Sequence, residues 1–349
     1  MNRQPRRYKH DQAVWDRCAG TYERQIVNGH PDVTAYESFE HSFIERLVIT
    51  LTRDCGRNMF CYDFGCGSGR IHLLLAPQLF PTVSPDGTER EKARPAGRLV
   101  HVGGIDFSEQ MIALARDNLA EADLRELSPD YLSFDTGSAF DVPAYSGDAT
   151  PLAVSVCNSI GVMQGPEGAR RLFSAMRRYV KSREGIALIS CYRREAVAGF
   201  ALSNYESTMD VCGQPCWLKP RTFASSEYRM VPHYYKRAHD RDPHMVVDVF
   251  DSANRCVRRN FTLTRDNNAV DEVIATGKID TFSGYHSRWY AAGRIQSWMR
   301  EFWGDGTLWH IPGSKLDCLR GEPAQLALVD YSGSFEPLAR SWGLMPLNG

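Results

Sequence analysis

Seven residues, Asp63-Phe64-Gly65-Cys66-Gly67-Ser68-Gly69, constrain this chain more than any others. The apolar run Met59-Phe60-Cys61-Tyr62-Asp63-Phe64 leads into them, and Ile71-His72-Leu73-Leu74-Leu75 follows. The first run reads as a strand and the second opens a helix, so the glycines fall in a strand-to-helix turn. Glycine there lets the backbone turn sharply and approach a ligand that any Cβ would displace. The spacing is G-x-G-x-G, and Arg70 stands where a dinucleotide fingerprint would place its last glycine. The pyrophosphate pattern is therefore not met, which argues against a nicotinamide enzyme.

The strand–helix alternation continues. Residues 98–106 read as a second strand, followed by a helix with Met111, Ile112, Leu114, Ala115 and Leu119 on one face. Tyr131 to Asp135 reads as a third strand. Pro151 to Asn158 is a fourth, apolar along its length as a strand covered on both faces should be. A helix over about 167–180 and a fifth strand over 185–190 follow. This alternation predicts a parallel sheet in an α/β fold. Before it, the first fifty residues read as helices, with Trp15, Tyr22, Ile26, then Phe39, Phe43, Ile44, Leu47 and Val48 at helical spacing. Residues 81–98, rich in proline, glycine and charge, read as an exposed loop.

After Ser190 the rhythm changes. Met245 to Phe250, a turn at 251–254 and Cys256 to Thr264 read as a hairpin. A helix over 289–303 and strands over 307–311 and 325–331 restore the earlier pattern. The expected organisation is a helical N-terminal lid at 1–50, a core at 51–192, an antiparallel cap inserted at 193–284, and a C-terminal segment at 285–349 that completes the core.

Two more acidic residues end strands. Asp106, in Ile105-Asp106-Phe107-Ser108, is placed to accept hydrogen bonds from ribose hydroxyls. Asp135, in Phe134-Asp135-Thr136-Gly137, could accept from an adenine amino group. Either could instead cap a turn. Their order along the chain, after the glycine turn, makes the set informative.

With these residues the chain resembles the class I S-adenosylmethionine (SAM) dependent methyltransferases of small-molecule type. The motifs cover about 55–192, and pattern alone extends the likeness over 286–335. The resemblance implies a Rossmann-like seven-stranded fold and SAM as cofactor. It implies that Asp63, Gly65 and Gly67 line the methionine and ribose end, and that Asp106 holds the ribose. Phe107 and Met111 would flank the adenine, and Asp135 and Thr136 would meet its edge. Tyr22 would come from the N-terminal helix, and the last helix and two strands would supply the antiparallel seventh strand.

Ligands of open α/β sheets bind outside the carboxyl ends of the strands. After strand four stands Cys157-Asn158-Ser159-Ile160-Gly161, not the Asn/Asp-Pro-Pro-aromatic stretch of the family's nucleic-acid methylases. Lys+Arg 41 against Asp+Glu 42 leaves a net charge of -1, without the basic excess that phosphate backbones call for. Both favour a small-molecule partner over nucleic acid. Asn158 is a candidate for the cofactor's amino-acid end or for the substrate. Tyr192, after strand five, would face the same mouth, and Tyr22, Asn158 and Tyr192 are the catalytic candidates, with His286 a further possible base. The insert carries Tyr205, Trp217, Tyr228, His233, Tyr234, Tyr235, His239 and His244. These could roof the site and exclude water, or form the insert's own core.

Cys212 and Cys216 with nearby histidines hint at zinc, but no second tight pair follows, so no metal site is expected. No Gly-x-Ser-x-Gly elbow is present. The basic start Met1 to His10 has no apolar stretch behind it, and no run is long enough for a bilayer. Ten scattered cysteines fit reduced thiols, and the expected location is the cytoplasm. The functional expectation is a methyltransferase acting on a small metabolite, with an amine or hydroxyl acceptor. Two alternatives stand beside it. One is attack on the γ-carbon of SAM, giving azetidine-2-carboxylate and methylthioadenosine or transferring the aminocarboxypropyl group. The other is a SAM-binding module without turnover.

Overall fold

The computed structural model describes residues 12, 15, 16, 19, 31–79, 97–124, 129–193, 228–235, 244–251, 256–262, 285–288, 290–312 and 324–348. Helix α1 (Pro31–Ile49) runs into a π-helical turn at Thr50–Asp54. Then come β1 (Met59–Phe64), α2 (Arg70–Leu79), β2 (Leu99–Asp106), α3 (Glu109–Glu121), β3 (Leu132–Thr136), β4 (Thr150–Ser155), the short α4 (Ser159–Val162), α5 (Gly165–Lys181) and β5 (Ile186–Tyr192). Strands β6 (Tyr228–Tyr235), β7 (His244–Asp251), β8 (Cys256–Thr262) and β9 (Tyr285–Arg288) follow. The described chain closes with α6 (Ala292–Trp303), β10 (Thr307–Pro312), β11 (Ala324–Asp330) and α7 (Glu336–Ser341).

Seven strands form one sheet in the order β10-β11-β5-β4-β1-β2-β3. Strands β1 to β5 are parallel, and β11 enters antiparallel between β5 and β10. The sheet is covered on both faces. On one, Tyr36, Phe39, Phe43, Ile44 and Leu47 of α1 pack with Ile71 and Leu75 of α2 and Ile112 of α3. On the other, Leu172, Phe173, Met176 and Val180 of α5 meet Ile295, Trp298 and Trp303 of α6. The i, i+4 and i+7 spacing of the α5 set places it on one stripe, and each such side chain buried contributes about 1.5–3 kcal/mol. Trp303 also donates its indole N–H to the Phe173 carbonyl at 2.9 Å, which satisfies the polar atom of a fully buried ring.

A second sheet, β6-β7-β8-β9, is antiparallel throughout. The expected hairpin is β7 and β8. Strand β9 pairs with β8, so this sheet extends to Arg288 rather than stopping before residue 285. The chain leaves the main sheet at Arg193 and returns at Tyr290, and these two residues form a parallel bridge. Strand β9 lies alongside α4. The structure adds β6, β9 and α7 to the elements that the sequence pattern predicts. Most of the loop expected at 81–98 and the Cys212/Cys216 pair lie outside the described residues.

Candidate functional site

The parallel register brings the acidic strand ends together. Asp63 stands opposite Gly104 and Phe64 opposite Ile105, while Asp106 pairs with Thr136 and Ile105 with Asp135. The turn after β1 is pinned to β2, because the N–H groups of Gly65 and Cys66 both donate to the Ile105 carbonyl, at 2.8 and 3.0 Å. Gly65 and Gly67 take φ values of +94° and +51°, a left-handed backbone that side chains disfavour. A Cβ on Gly65 would also stand 2.8 Å from the Met163 methyl.

Asp106 is buried and held by its own surroundings. Its Oδ2 accepts from Gly67 N–H at 3.0 Å, and its Oδ1 accepts from Ser108 N–H at 2.9 Å. Burial pushes its carboxyl up to about 6 against the pull of these bonds. Asp63, 2% exposed, is different, because its Oδ1 is buried without a hydrogen-bond partner among the described residues. Burial first, then the charges of Asp106 and Glu40, hold its carboxyl well above the usual range. A buried carboxylate oxygen with nothing to accept from fits a cationic ligand group at this turn.

The other expected residues divide into groups. Met111 is buried, and its N–H donates to the Ser108 hydroxyl that caps α3, at 3.1 Å. Ala19 and Trp15 pack with Met111, Ser108 donates to Asp16 at 2.5 Å, and Gln12 donates to the Phe107 carbonyl at 2.9 Å. The N-terminal helical residues are thus docked over the end of β2. Asp135 and Thr136 are exposed, and Asp135 accepts the Tyr62 hydroxyl at 2.8 Å. Asn158, 2% exposed, accepts Tyr192 N–H at 3.1 Å, which joins the ends of β4 and β5. Tyr22 lies outside the described residues. His286 sits on β9, opposite Arg259 of β8.

The sequence reading missed a group from α1. Glu40 is 1% exposed and accepts Cys157 N–H at 2.8 Å. The hydroxyls of Tyr36 and Ser190, 2.6 Å apart, also reach its carboxylate. The Tyr36 ring stacks at a tilt on Tyr192, 4.6 Å between centroids. The signal for this group was present, since Tyr36, Glu40, Ile44 and Val48 share one helical stripe at i, i+4 spacing, and that stripe is otherwise apolar. Arg70, in the first turn of α2, is paired with Glu37 of α1, so α1 also touches the helix that follows the glycine turn.

No protein-family model and no curated protein matches the chain. Solved structures do. The CcbJ methyltransferase from Streptomyces caelestis is similar at 11% identity and a TM-score of 0.48, over 92% of this chain and 98% of that one. A SAM-dependent methyltransferase from Clostridium acetobutylicum is similar at 12% identity and a TM-score of 0.46, over 90% and 98%. The sugar N-methyltransferase KedS8 from Streptoalloteichus is similar at 11% identity and a TM-score of 0.40, over 84% and 87%. What decides the architecture is the strand order, with an antiparallel β11 set between β5 and β10 and a glycine turn after β1. The chain has the class I methyltransferase fold. In this Rossmann-like frame, Asp63, Gly65, Gly67, Asp106, Asn158 and Tyr192 all stand at or just past the carboxyl ends of their strands, the edge at which open α/β sheets bind ligands.

Proposed function

We propose that the chain is a cytoplasmic SAM-dependent methyltransferase acting on a small-molecule acceptor, an amine or a hydroxyl. One observation carries the reading: the buried Oδ1 of Asp63, without a hydrogen-bond partner among the described residues, beside two left-handed glycines. A cation-bearing ligand that brings its backbone-like end against a Cβ-free turn suits both features. When bound, SAM supplies a methyl group made electrophilic by a sulfonium.

The chain's own residues then have these roles. Asp63 receives the ammonium of the cofactor's amino-acid end, with Asn158 nearby. Asp106, already oriented by Gly67 and Ser108, receives the ribose hydroxyls with its remaining lone pairs. Phe107 and Met111 flank the base, and Asp135 and Thr136 meet its edge. Tyr22, Tyr192 and Asn158 orient the acceptor, and the insert covers it. Shielding from water and fixed approach are the main accelerating terms for such a transfer.

A second reading, attack by the cofactor's own amine on its γ-carbon, is favoured by the proximity of Glu40 to Asp63, a pair of carboxylates able to take a proton from an ammonium. The nucleoside product separates the readings. Pure protein is incubated with SAM alone and then with small-molecule extract. S-adenosylhomocysteine formed only with extract supports methyl transfer, and methylthioadenosine formed from SAM alone supports γ-attack. Tight SAM binding with neither product would identify a binding module.

A further inference from the structure

Helix α1 contributes one carboxylate to a place where the main chain is strained. Cys157 and Asn158, neither of them glycine, follow β4 with φ values of +53° and +58°. Two consecutive left-handed residues persist only where their surroundings impose them, and such places cluster at ligand-binding sites. The surroundings can be named. Glu40 Oε1 holds the Cys157 N–H at 2.8 Å, and Asn158 Oδ1 holds the Tyr192 N–H at 3.1 Å. The same Glu40 carboxylate is reached by Ser190 of β5 and Tyr36 of its own helix, and Tyr36 is stacked on Tyr192. One side chain therefore ties α1, the turn after β4 and the end of β5 into a single unit.

We propose that Glu40 is a positioning residue of the SAM site, clamping the Cys157–Asn158 turn and giving up a proton when the cofactor's positive charge arrives. The proposal rests on the SAM reading above. Its electrostatic part follows from what faces Glu40. Among the described residues, Tyr36 lies on its own helix, Asp63 on β1, Cys157 after β4 and Ser190 on β5. None of these carries a positive charge, and Asp63 adds a second carboxylate. Burial pushes Glu40 up to about 7, against hydrogen bonds from Ser190, Cys157 and Tyr36 that pull it down. Near neutrality a sizeable fraction of Glu40 is therefore protonated in the free protein. A cation placed at Asp63 favours the ionised form, so the proton leaves to solvent and the carboxylate remains.

Two measurements test this, and neither needs the acceptor. The first is calorimetry of SAM binding to the full chain at pH 7 in two buffers of different ionisation enthalpy, which counts protons released. Wild type is expected to release protons, less so by pH 8.5, and Glu40→Gln to lose about half or more of that release. Equal release by wild type and Glu40→Gln would overturn the electrostatic part, as would uptake by wild type. Asp63→Asn, measured in parallel, reports how much of the release belongs to the neighbouring carboxylate. If wild type shows no SAM binding at all, the cofactor reading falls and the proton linkage falls with it.

The second measurement decides the clamp in the free protein. It is hydrogen exchange of the amides spanning Cys157 to Ile160. Protection is expected to drop at least tenfold in Glu40→Ala and to be kept within about threefold in Glu40→Gln, whose amide oxygen can still accept the Cys157 N–H. Unchanged protection in Glu40→Ala, with thermal melting confirming a folded chain, would overturn the clamp.

Discussion

Asn158 and Tyr192 are joined by one hydrogen bond, the Tyr192 N–H donating to Asn158 Oδ1 at 3.1 Å. The bond spans the ends of two adjacent parallel strands, and its acceptor sits in a left-handed backbone with φ +58°. Two residues singled out for chemistry thus also hold each other in place. Any substitution at Asn158 acts on geometry as well as on contact with a ligand.

Replacing Asn158 separates these effects. Asn158→Ala leaves a buried N–H without its acceptor and puts a residue that tolerates the left-handed backbone less well than Asn at φ +58°, so a loss of about 2–4 kcal/mol is expected in denaturant unfolding. Asn158→Gly removes the strain and keeps the orphaned N–H, so its loss should be smaller by about 1 kcal/mol. Equal losses would show that the left-handed backbone is not costly there.

Asp106 is the residue on which the cofactor site is expected to depend most directly. Asp106→Ala should weaken SAM binding by roughly 1–3 kcal/mol, the scale of lost charged hydrogen bonds. Calorimetric titration reads this, and unchanged affinity would mean that the ribose lies elsewhere. Asp106→Asn should be milder, because its single carbonyl oxygen still accepts one of the two backbone N–H groups.

Gly65 tests the turn itself. Gly65→Ala forces a side chain onto φ +94° and brings its Cβ 2.8 Å from the end of Met163. The methionine end can move, whereas the backbone strain cannot be relieved without changing the turn. A cost of about 1–3 kcal/mol in stability and a larger loss in SAM affinity are expected. Adding Met163→Ala should restore little of either, and full rescue by the double variant would assign the cost to the clash alone.

Glu40 gives the stability of the free protein a pH dependence whose sign is opposite to that of a salt-bridged carboxylate. Its ordinary value is 4.5, and burial raises it to about 7 in the fold. Between these values the folded state binds more proton than the unfolded chain, so stability falls as pH rises from about 5 to about 7.5. The ceiling on this contribution is about 3 kcal/mol. Glu40→Gln should melt close to wild type at pH 5 and at a higher temperature than wild type at pH 8. A melting difference that does not change with pH would remove the buried charge from this account.

Much of the candidate site's placement was legible because its residues punctuate the chain. Asp63, Asp106 and Asp135 each end an apolar run, and glycines follow the first of them, so their place at strand ends could be read from period and composition. The parallel register that aligns Asp106 with Thr136 then follows from the fold class. Glu40 was harder to see, because a glutamate in an amphipathic helix ordinarily faces water, and its burial depends on β4 and β5 arriving from more than a hundred residues downstream. The hydrogen bond between Tyr62 and Asp135 likewise crosses strands and leaves no local trace. Strand β9 has only four residues, and α7 only six, too short for either period to stand out.

The bridge between Arg193 and Tyr290 has an evolutionary consequence. Because the two ends of the intervening ninety-six residues meet side by side, the seven-stranded sheet sees only a short closure, whatever lies between. Lengthening such a loop costs little in chain entropy, about 0.6 kcal/mol per doubling. Selection can thus rebuild that stretch wholesale, or trade it for another, while the strands that carry Asp63 and Asp106 keep their register. A lineage could acquire new chemistry at the rim without renegotiating its foundation.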